Sequence, residues 1–343
     1  MGADRKNMQT KQCLQCHKNF QLYPEDLEFC KNIKVPEPIL CNDCSTQRRM
    51  CFRNERSLHK RKCDLCQQEV ISIFSPDKPY QVYCNKCWWS DKWNILDTGQ
   101  EVDFKRPFFQ QINEVFQKTP LCNLVIASSD NSDYTNYAVS NNHSYLIFAS
   151  DYNESCCYGS YIFKCRDCLD ALFCNNCEYS YEIIDCDNCY GSRYLQSCKQ
   201  CTDCAYCYDC QSCNNCFGCI GLRHKNYHIY NKEYSPAEYQ KWVKTHCNAS
   251  LQLQEFTKLK LKYPHRFAYN SKCTNSFGDY LSHCEDCKDC YDLIEGVNCR
   301  YTTLGLKPKD CFRCTGVPNA EYSYESVGIP EDNNIKFSLL IWP

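Results

Sequence analysis

The chain has 343 residues and a formal net charge of −2, and it contains 35 cysteines but only 11 glycines. About one cysteine in ten residues is typical of small secreted disulfide scaffolds, but this chain is much longer than those proteins. It begins without the apolar segment of a signal peptide and has no apolar run long enough to cross a membrane. The composition therefore predicts a cytoplasmic protein without a membrane span, in which cysteine binds metal rather than forming disulfides.

Four CxxC motifs near the N-terminus predict two zinc ribbons. A CxxC turn directs two thiolates at one centre, and a second motif completes a tetrahedron with Zn–S bonds of about 2.3 Å. Because all four ligands are cysteines, no position is left open for substrate, and both sites are expected to be structural. The expected ligands are Cys13, Cys16, Cys41 and Cys44 in the first ribbon, and Cys63, Cys66, Cys84 and Cys87 in the second. The expected cofactor is therefore Zn²⁺, with at least two ions.

A strongly basic segment, Ser45–Lys62, joins the two ribbons and contains seven cationic side chains against the single Glu55. We expect a helix that binds the phosphate groups of nucleic acid. The alternative is a solvated helix whose charges only keep the protein soluble. The expected nucleic-acid-binding residues are Arg48, Arg49, Arg53, Arg56, Lys60, Arg61 and Lys62.

The segment Asp103–Pro120 predicts an amphipathic helix, because its apolar side chains recur at helical spacing. The apolar face consists of Phe108, Phe109, Ile112, Val115 and Phe116. We expect this face to pack against a core. Three tryptophans after the second ribbon are also expected in the core: Trp88, Trp89 and Trp93.

A period of twelve residues runs through the middle of the chain. One column of the repeat is Cys165, Cys177, Cys189, Cys201 and Cys213. Every third residue from about Ile126 to Gly221 is small or apolar, a pattern that fits neither a helix nor a simple strand. The period predicts a narrow β-solenoid with one coil per twelve residues, stacked about 4.8 Å apart.

The inward cysteines of this solenoid leave three interpretations open: zinc bound between neighbouring coils, disulfides across the lumen, or buried thiols that act as small apolar side chains. Zinc binding would bring the total to five or more ions. The zinc interpretation groups the cysteines as Cys174/Cys177 with Cys186/Cys189, Cys198/Cys201 with Cys210/Cys213, and Cys204/Cys207 with Cys216/Cys219. It also includes Cys287, Cys290, Cys311 and Cys314 among the expected metal ligands.

The predicted fold class is thus mainly β: N-terminal zinc ribbons followed by a narrow solenoid with a helical insertion. The predicted segments are a first ribbon with the basic segment (1–60), a second ribbon with a helix (61–120), the solenoid (121–222), the insertion (223–270), and the solenoid continuation with a C-terminal tail (271–343). Ser235, Pro236 and Glu238 form a helix-start signal in the insertion. The tail Ile335–Pro343 is expected to form a strand or to bind a partner.

The twelve-residue coils resemble those of beetle antifreeze proteins, which also direct Cys, Ser and Ala inward at steps of three. The regular Thr-x-Thr rows of those proteins are absent here, so ice binding is not implied. The phrases RNERSLHKRKCDLC, VYCNKCWWSDKW, DFKRPFFQQINEVF and CNNCFGCIGLRHKNYHIYNKEYS resemble a cysteine-rich family of giant DNA viruses and uncultivated small-genome (candidate phyla) bacteria. The resemblance spans Cys13 to about Tyr239, and it implies zinc and an intracellular origin but no activity.

None of the common enzyme motifs occurs in the sequence: there is no HExxH, GxGxxG or P-loop, and no zinc-deaminase signature. We therefore expect a non-enzymatic zinc-binding scaffold without a small-molecule substrate. Its basic segment favours RNA or a ribosome-like nucleoprotein surface as the partner. One alternative is a structural protein of a virus particle that makes protein–protein contacts through the solenoid, located in the virion or in the host cytoplasm. Another is a thiol-rich redox or metal-storage protein.

Overall fold

The computed structural model of the protein describes residues 8–246, 249–328 and 333–338. The chain forms two compact units, one of Met1–Asn54 with His265–Pro343 and the other of Glu55–Pro264. The first unit thus combines most of the first predicted segment with the last. About 33% of the residues are in strands and 18% in helices, which confirms the prediction of a mainly β protein.

The N-terminal part of the first unit is a hairpin followed by two helices. Strands β1 (Gln9–Gln12) and β2 (Asn19–Leu22) pair antiparallel. Helix α1 (Pro24–Asn32) begins with a proline in its first turn, and the carboxylate of Asp26 accepts a hydrogen bond from the Tyr23 N–H at 2.9 Å. Helix α2 comprises Asn42–Met50.

The basic segment does not form the continuous helix that the sequence predicted. Helix α2 ends at Met50, and strand β3 (His59–Lys62) begins within the same segment. Strand β3 pairs antiparallel with β4 (Glu69–Ser72). The boundary between the two compact units also falls inside this segment, between Asn54 and Glu55. The expectation of one basic helix is therefore wrong.

The rest of the second ribbon contains strand β5 (Val82–Tyr83), helix α3 (Asn85–Trp88), a 3-10 helix at Ile95–Thr98, helix α4 (Phe108–Lys118) and strand β6 (Leu121–Cys122). Strands β5 and β6 pair in parallel. Helix α4 confirms the predicted helix with shorter bounds.

The apolar face of α4 is exposed, so the expectation that it packs in a core is wrong. Phe109 is 83% exposed, and Phe108, Ile112 and Phe116 are each about half exposed. The helix is held instead by Gln111, whose amide donates to the Asp103 carbonyl at 2.9 Å and accepts from the Asp103 N–H at 2.8 Å. Trp89 is also exposed, whereas Trp88 and Trp93 are half-buried and contact each other with ring centroids 4.8 Å apart.

The second unit contains a sheet of eleven strands in chain order, β17 to β7. The strands are β7 (Ile126–Ala127), β8 (Asn136–Val139), β9 (Phe148–Asp151), β10 (Ser160–Phe163), β11 (Leu169–Asn175), β12 (Tyr181–Ile184), β13 (Arg193–Gln196), β14 (Ala205–Tyr208), β15 (Asn214–Phe217), β16 (Asn226–Ile229) and β17 (Lys232–Glu233). Neighbouring strands from β7 to β16 are parallel, and β17 pairs antiparallel with β16. We call β7–β16 the long ladder.

The register of the long ladder equals the period of the sequence. Leu195, for example, pairs with Ile183 on one side and with Cys207 on the other, each twelve residues away. Every third residue from Ser128 to Tyr230 has a left-handed backbone with φ between 45° and 68°. None of these positions holds Val, Ile or Thr, the β-branched residues that this conformation disfavours most. The backbone thus bends four times in each twelve-residue repeat, and the side chains that follow the bends are mostly buried.

The helical insertion packs on the long ladder. Helix α5 (Pro236–Thr245) has the predicted start, since the Ser235 hydroxyl accepts a hydrogen bond from the Glu238 N–H at 3.3 Å. Its Trp242 packs on Phe217 of the ladder with ring centroids 5.0 Å apart. Helix α6 (Ala249–Lys262) places the Lys260 ammonium 4.4 Å from the ring centroid of Tyr208.

A shorter ladder follows in the first unit, with strands β18 (Phe277–Ser282), β19 (Lys288–Ile294) and β20 (Thr303–Leu306) and single bridges as far as Tyr324–Lys336. Its first repeat pairs residues eleven apart, and an irregularity between Phe277 and Gly278 restores the spacing of twelve. Helix α1 packs on this short ladder through Phe29 and Phe312, whose ring centroids are 5.5 Å apart. Residues 339–343 of the predicted tail lie outside the described residues.

Candidate metal centres

The first ribbon brings its four predicted cysteines to one point. Cys13 and Cys16 come from the turn of the β1–β2 hairpin, and Cys41 and Cys44 from the start of α2. Their four sulfur atoms all lie within 4.8 Å of one another. The Sγ atoms of Cys16 and Cys41 are 3.7 Å apart, close to the roughly 3.8 Å edge of a tetrahedron with Zn–S bonds of about 2.3 Å.

The second ribbon repeats this arrangement with Cys63 and Cys66 in the β3–β4 turn and Cys84 and Cys87 at the start of α3. These sulfur atoms also lie within 4.8 Å of one another, and those of Cys66 and Cys84 are 3.9 Å apart. The backbone N–H of Cys84 donates to the sulfur of Cys63 at 3.2 Å. Such N–H···S bonds favour the thiolate form that a metal requires.

One thiol in each ribbon is prepared for ionisation. Burial raises the pKa of Cys13, but hydrogen bonds from the backbone N–H groups of Cys16, Cys41 and Gln15 outweigh burial and lower the pKa to about 6. The pKa of Cys63 is likewise lowered to about 6, because backbone N–H groups outweigh its burial. Burial and the neighbouring thiols raise the pKa of Cys44 and Cys87 to about 12. The four cysteine ligands of each ribbon and the spacing of their sulfur atoms therefore fit a tetrahedrally coordinated ion such as Zn²⁺.

The quartets predicted in the ladders are not assembled in this way. Within residues 8–246, 249–328 and 333–338, the two ribbons are the only groups of three or more potential ligands whose atoms all approach within 4.8 Å. No disulfide joins the cysteines of these residues. Apart from Cys157 and Cys273, the thiols of the ladders are buried. Buried thiols point at backbone carbonyls; Cys174 Sγ, for instance, lies 3.3 Å from the Leu172 oxygen and 3.5 Å from the Ile183 oxygen.

The same side chains are those for which the sequence predicted interstrand zinc. They are Cys174, Cys177, Cys186, Cys189, Cys198, Cys201, Cys204, Cys207, Cys210, Cys213, Cys216, Cys219, Cys287, Cys290, Cys311 and Cys314, and each is at most 1% exposed. Neighbouring thiols of these columns interact, as Cys177 does with Cys165, Cys174 and Cys189. They form continuous rows rather than separate quartets.

Two of the seven expected nucleic-acid-binding residues are buried in ion pairs. Arg49 is 3% exposed, and its guanidinium lies 3.0 Å from the carboxylate of Glu325. Arg61 has a side chain 7% exposed and donates to the Asp64 carboxylate at 3.0 Å and to the Tyr80 carbonyl at 3.1 Å. Neither side chain is positioned to bind phosphate, so the expectation is wrong for these two.

The other five cations are more accessible. Arg48 is exposed on the first unit, although it also lies 3.1 Å from the Glu325 carboxylate. Arg53 is half-buried. On the second unit, Lys60 and Lys62 alternate with inward side chains of β3 and are both exposed. Arg56 is exposed and lies 5.9 Å from the ring centroid of Phe148.

Sequence reasoning missed His228. It is 6% exposed, pairs with Cys216 in the adjacent strand, and therefore continues a column of inward cysteines. Its Nδ1 lies 2.7 Å from the Asn226 carbonyl, which can only accept, so in the neutral ring the proton is on Nδ1 and Nε2 is unprotonated. The sequence feature that could have identified His228 is its position twelve residues after Cys216.

The comparisons with known proteins do not identify the chain: no family model and no curated protein matches it. The resemblance to the viral and bacterial cysteine-rich family therefore stays a prediction. Among the helices of the described residues, none has both the length and the apolar character needed to cross a membrane.

Proposed function

We propose that the protein is a non-enzymatic scaffold in which two zinc ribbons stabilise the N-terminal part and the ladders coil into narrow β-solenoids. The two four-sulfur clusters carry the metal part of this proposal. The solenoid part is supported by the twelve-residue register, the bend at every third residue and the buried side chain after each bend. A scaffold of this kind would present fixed surfaces to a partner.

The metal part is tested by mass spectrometry and metal analysis of the native protein. We expect two tightly held zinc ions in the ribbons. Cys63→Ser should remove one of them, because a three-sulfur site binds zinc more weakly. Cys122→Ser is the matched control, since this thiol belongs to the neighbouring strand β6 but not to a four-sulfur cluster. Loss of zinc in the control, or full retention in Cys63→Ser, would contradict the assignment of the ligands.

We further propose that the partner is RNA or a ribonucleoprotein surface, bound through the accessible cations of the second ribbon. Lys60 and Lys62 lie on the same exposed face of β3, and Arg56 is exposed three residues before this strand. Cations arranged in this way attract phosphate groups, and such binding weakens with salt.

The RNA proposal is tested by measuring affinity for single-stranded RNA against salt concentration. The double variant Lys60→Glu/Lys62→Glu should bind more weakly and lower the salt slope by about 1.4, or about 0.7 for each lost phosphate contact. Lys78→Glu serves as the control, because Lys78 is exposed in the same unit and is paired only with the adjacent Asp77. Equal affinity of the wild type and the double variant would exclude this surface.

A structural role in a virus particle is the second candidate, and one observation favours it. Large apolar side chains are exposed between the second ribbon and the end of α4. They are Trp89, Ile95, Leu96, Val102, Phe104, Phe108, Phe109, Ile112 and Phe116. A surface of this composition is typical of protein–protein contacts. Loss of particle association in Phe104→Ser/Phe109→Ser, with RNA affinity unchanged, would favour this candidate.

The free thiols fit a reducing compartment such as the cytoplasm of the cell or of a viral host.

A further inference from the structure

The long ladder contains two successive repeats in which every inward position is a cysteine. These eight residues, which we call the eight-thiol box, are Cys198, Cys201, Cys204, Cys207, Cys210, Cys213, Cys216 and Cys219. Each of them is at most 1% exposed. In the preceding repeat the corresponding positions hold Cys186, Cys189, Ser192 and Leu195, so the uninterrupted set begins at the box.

The thiols of the box interact along the chain and between the two repeats. Cys204 interacts with the thiols three residues before and after it, Cys201 and Cys207, and with Cys216 of the next repeat. Cys210 likewise interacts with Cys198, Cys207 and Cys213. Because the repeats are parallel strands, their spacing is about 4.8 Å. The box is therefore one group of eight sulfurs and not two independent quartets.

The geometry of the box differs from that of the ribbons. Among the described residues, only the ribbons bring three or more sulfur atoms within 4.8 Å of one another. In the box each thiol instead has neighbours three residues away along the chain and twelve residues away in the paired strand, as Cys204 has Cys207 and Cys216. Tetrahedral zinc requires four converging sulfurs, whereas a soft ion of low coordination number requires only two.

The charge balance of the box permits an ion of this class. Its inward positions carry only thiols, and these donate to backbone carbonyls, as Cys207 Sγ does to the Cys216 oxygen at 3.6 Å and Cys210 Sγ to the Cys219 oxygen at 3.5 Å. Buried thiolates are costly unless a cation neutralises them. A monovalent ion needs one thiolate for neutrality, and a divalent ion needs two.

We infer that the eight-thiol box binds Cu(I) as a buried cluster. With two sulfurs for each ion, the box holds about four Cu(I) ions. Each ion displaces one thiol proton, which passes to solvent, and is held by the resulting thiolate and by one neighbouring thiol. Copper enters as Cu(I) and leaves the reaction as Cu(I), so no electron is transferred.

The repeat that follows the box contributes to a cleft of about 760 Å³ that His224, Lys225, His228, Glu233 and Glu238 help to line. Cys216 Sγ is 3.6 Å from the Lys225 carbonyl, and Cys219 Sγ is 3.4 Å from the His228 carbonyl. His228 continues the column of Cys204 and Cys216, and its unprotonated Nε2 suits a soft ion. We assign His228 as the residue that passes copper from the cleft to the box.

The test uses the zinc-loaded full chain under anaerobic conditions, titrated with Cu(I) in a bicinchoninate buffer. Zinc released during the titration is measured in the same sample, so that copper taken by the ribbons is counted separately. The box variant is Cys204→Ser/Cys216→Ser, a substitution that the fold accepts because Ser180 and Ser192 already occupy this column. Cys156→Ser/Cys168→Ser is the matched control in the same column outside the box.

We expect the wild type to bind about four Cu(I) ions beyond those that replace zinc, with release of one proton for each ion and only sulfur neighbours in X-ray absorption. The box variant should lose at least half of these ions, and the control at most one. His228→Leu should slow copper uptake at least several-fold and leave the final number unchanged. The proposal is overturned if the box variant binds as much copper as the wild type. It is equally overturned if the native protein carries zinc in the box that Cu(I) does not displace.

Discussion

The guanidinium of Arg49 in helix α2 lies 3.0 Å from the carboxylate of Glu325 in the short ladder, although 276 residues separate them along the chain. The same carboxylate accepts a hydrogen bond from the Ser45 hydroxyl at 2.5 Å and lies 3.2 Å from Arg313. Both cations and the carboxylate are almost fully buried. This cluster joins the first ribbon to the short ladder within one compact unit.

Replacing Glu325 by glutamine should therefore destabilise this unit strongly. The substitution removes the carboxylate that both buried guanidinium groups face, and the loss of such a partner costs about 3–5 kcal/mol in comparable pairs. The matched control is Glu321→Gln in the same ladder, because the Lys309–Glu321 pair is about half exposed and such pairs contribute about 0–1 kcal/mol. Urea unfolding of the zinc-loaded protein gives both values. Equal losses in the two variants would contradict the structural role of Glu325.

Each of the two metal-free ribbons should contain one thiolate at neutral pH. The pKa values of Cys13 and Cys63 are lowered from the ordinary 9.0 to about 6, because backbone hydrogen bonds outweigh burial. A lowered pKa stabilises the folded form fully above the ordinary value, and this stabilisation is lost as the pH falls through about 6. Thiolate absorbance in the ultraviolet, followed from pH 9 to 5, measures the ionisation. Relative to the wild type, Cys13→Ser and Cys63→Ser should each remove one thiolate that ionises near pH 6, whereas Cys122→Ser should remove none.

At the left-handed bends of the long ladder, glycine should be more stable than the residues that are present. Gln200 is exposed and has a φ of 52°, a conformation that costs a non-glycine residue roughly 1–2 kcal/mol. Gln200→Gly should therefore raise the free energy of unfolding by up to about 1 kcal/mol, and Gln200→Val should lower it by at least about 1 kcal/mol. The neighbouring Lys199 is exposed without a left-handed backbone, so Lys199→Val should change little. Thermal unfolding of the variants checks the order, and a larger effect at Lys199 would contradict it.

Gly278 should tolerate no side chain. Its φ is 155°, and a Cβ atom at this position would lie 1.9 Å from the Cys290 carbonyl oxygen. Gly278→Ala should destabilise the short ladder, because the clash involves backbone of the paired strand and not a movable side chain. The control is Gly99→Ala, where the nearest atom is 3.3 Å away. Loss of protection of the β18 and β19 amides in hydrogen exchange would locate the effect.

The features of the fold that recur along the chain were predictable from the sequence. The spacing of Cys63, Cys66, Cys84 and Cys87 predicted a four-sulfur cluster because the CxxC turn is a local structure. The twelve-residue period predicted the register of the long ladder, because a parallel pair of strands repeats the same side-chain positions. The absence of Val, Ile and Thr at every third position was also visible, and it would have located the bends.

Features that depend on distant partners were not predictable. The sequence of α4 shows an apolar face, but nothing in it tells whether the chain supplies a partner for Phe109. The charge of Arg49 favoured phosphate binding, because nothing in the sequence shows that Glu325 lies beside it in the fold. The three predicted zinc quartets of the long ladder assumed that sulfurs close in register converge on one point, whereas thiols such as that of Cys174 point at carbonyl oxygens.

The antiparallel strand β17 has a consequence for self-assembly. A parallel ladder ends in a row of unpaired backbone groups, which is a template for the strands of another molecule. After β16 the chain turns back, and β17 occupies part of this edge with Lys232 and Glu233, both exposed and charged. Helices α5 and α6 then pack on the ladder and do not extend the repeat. This covered edge therefore disfavours the addition of a strand from another molecule at β16.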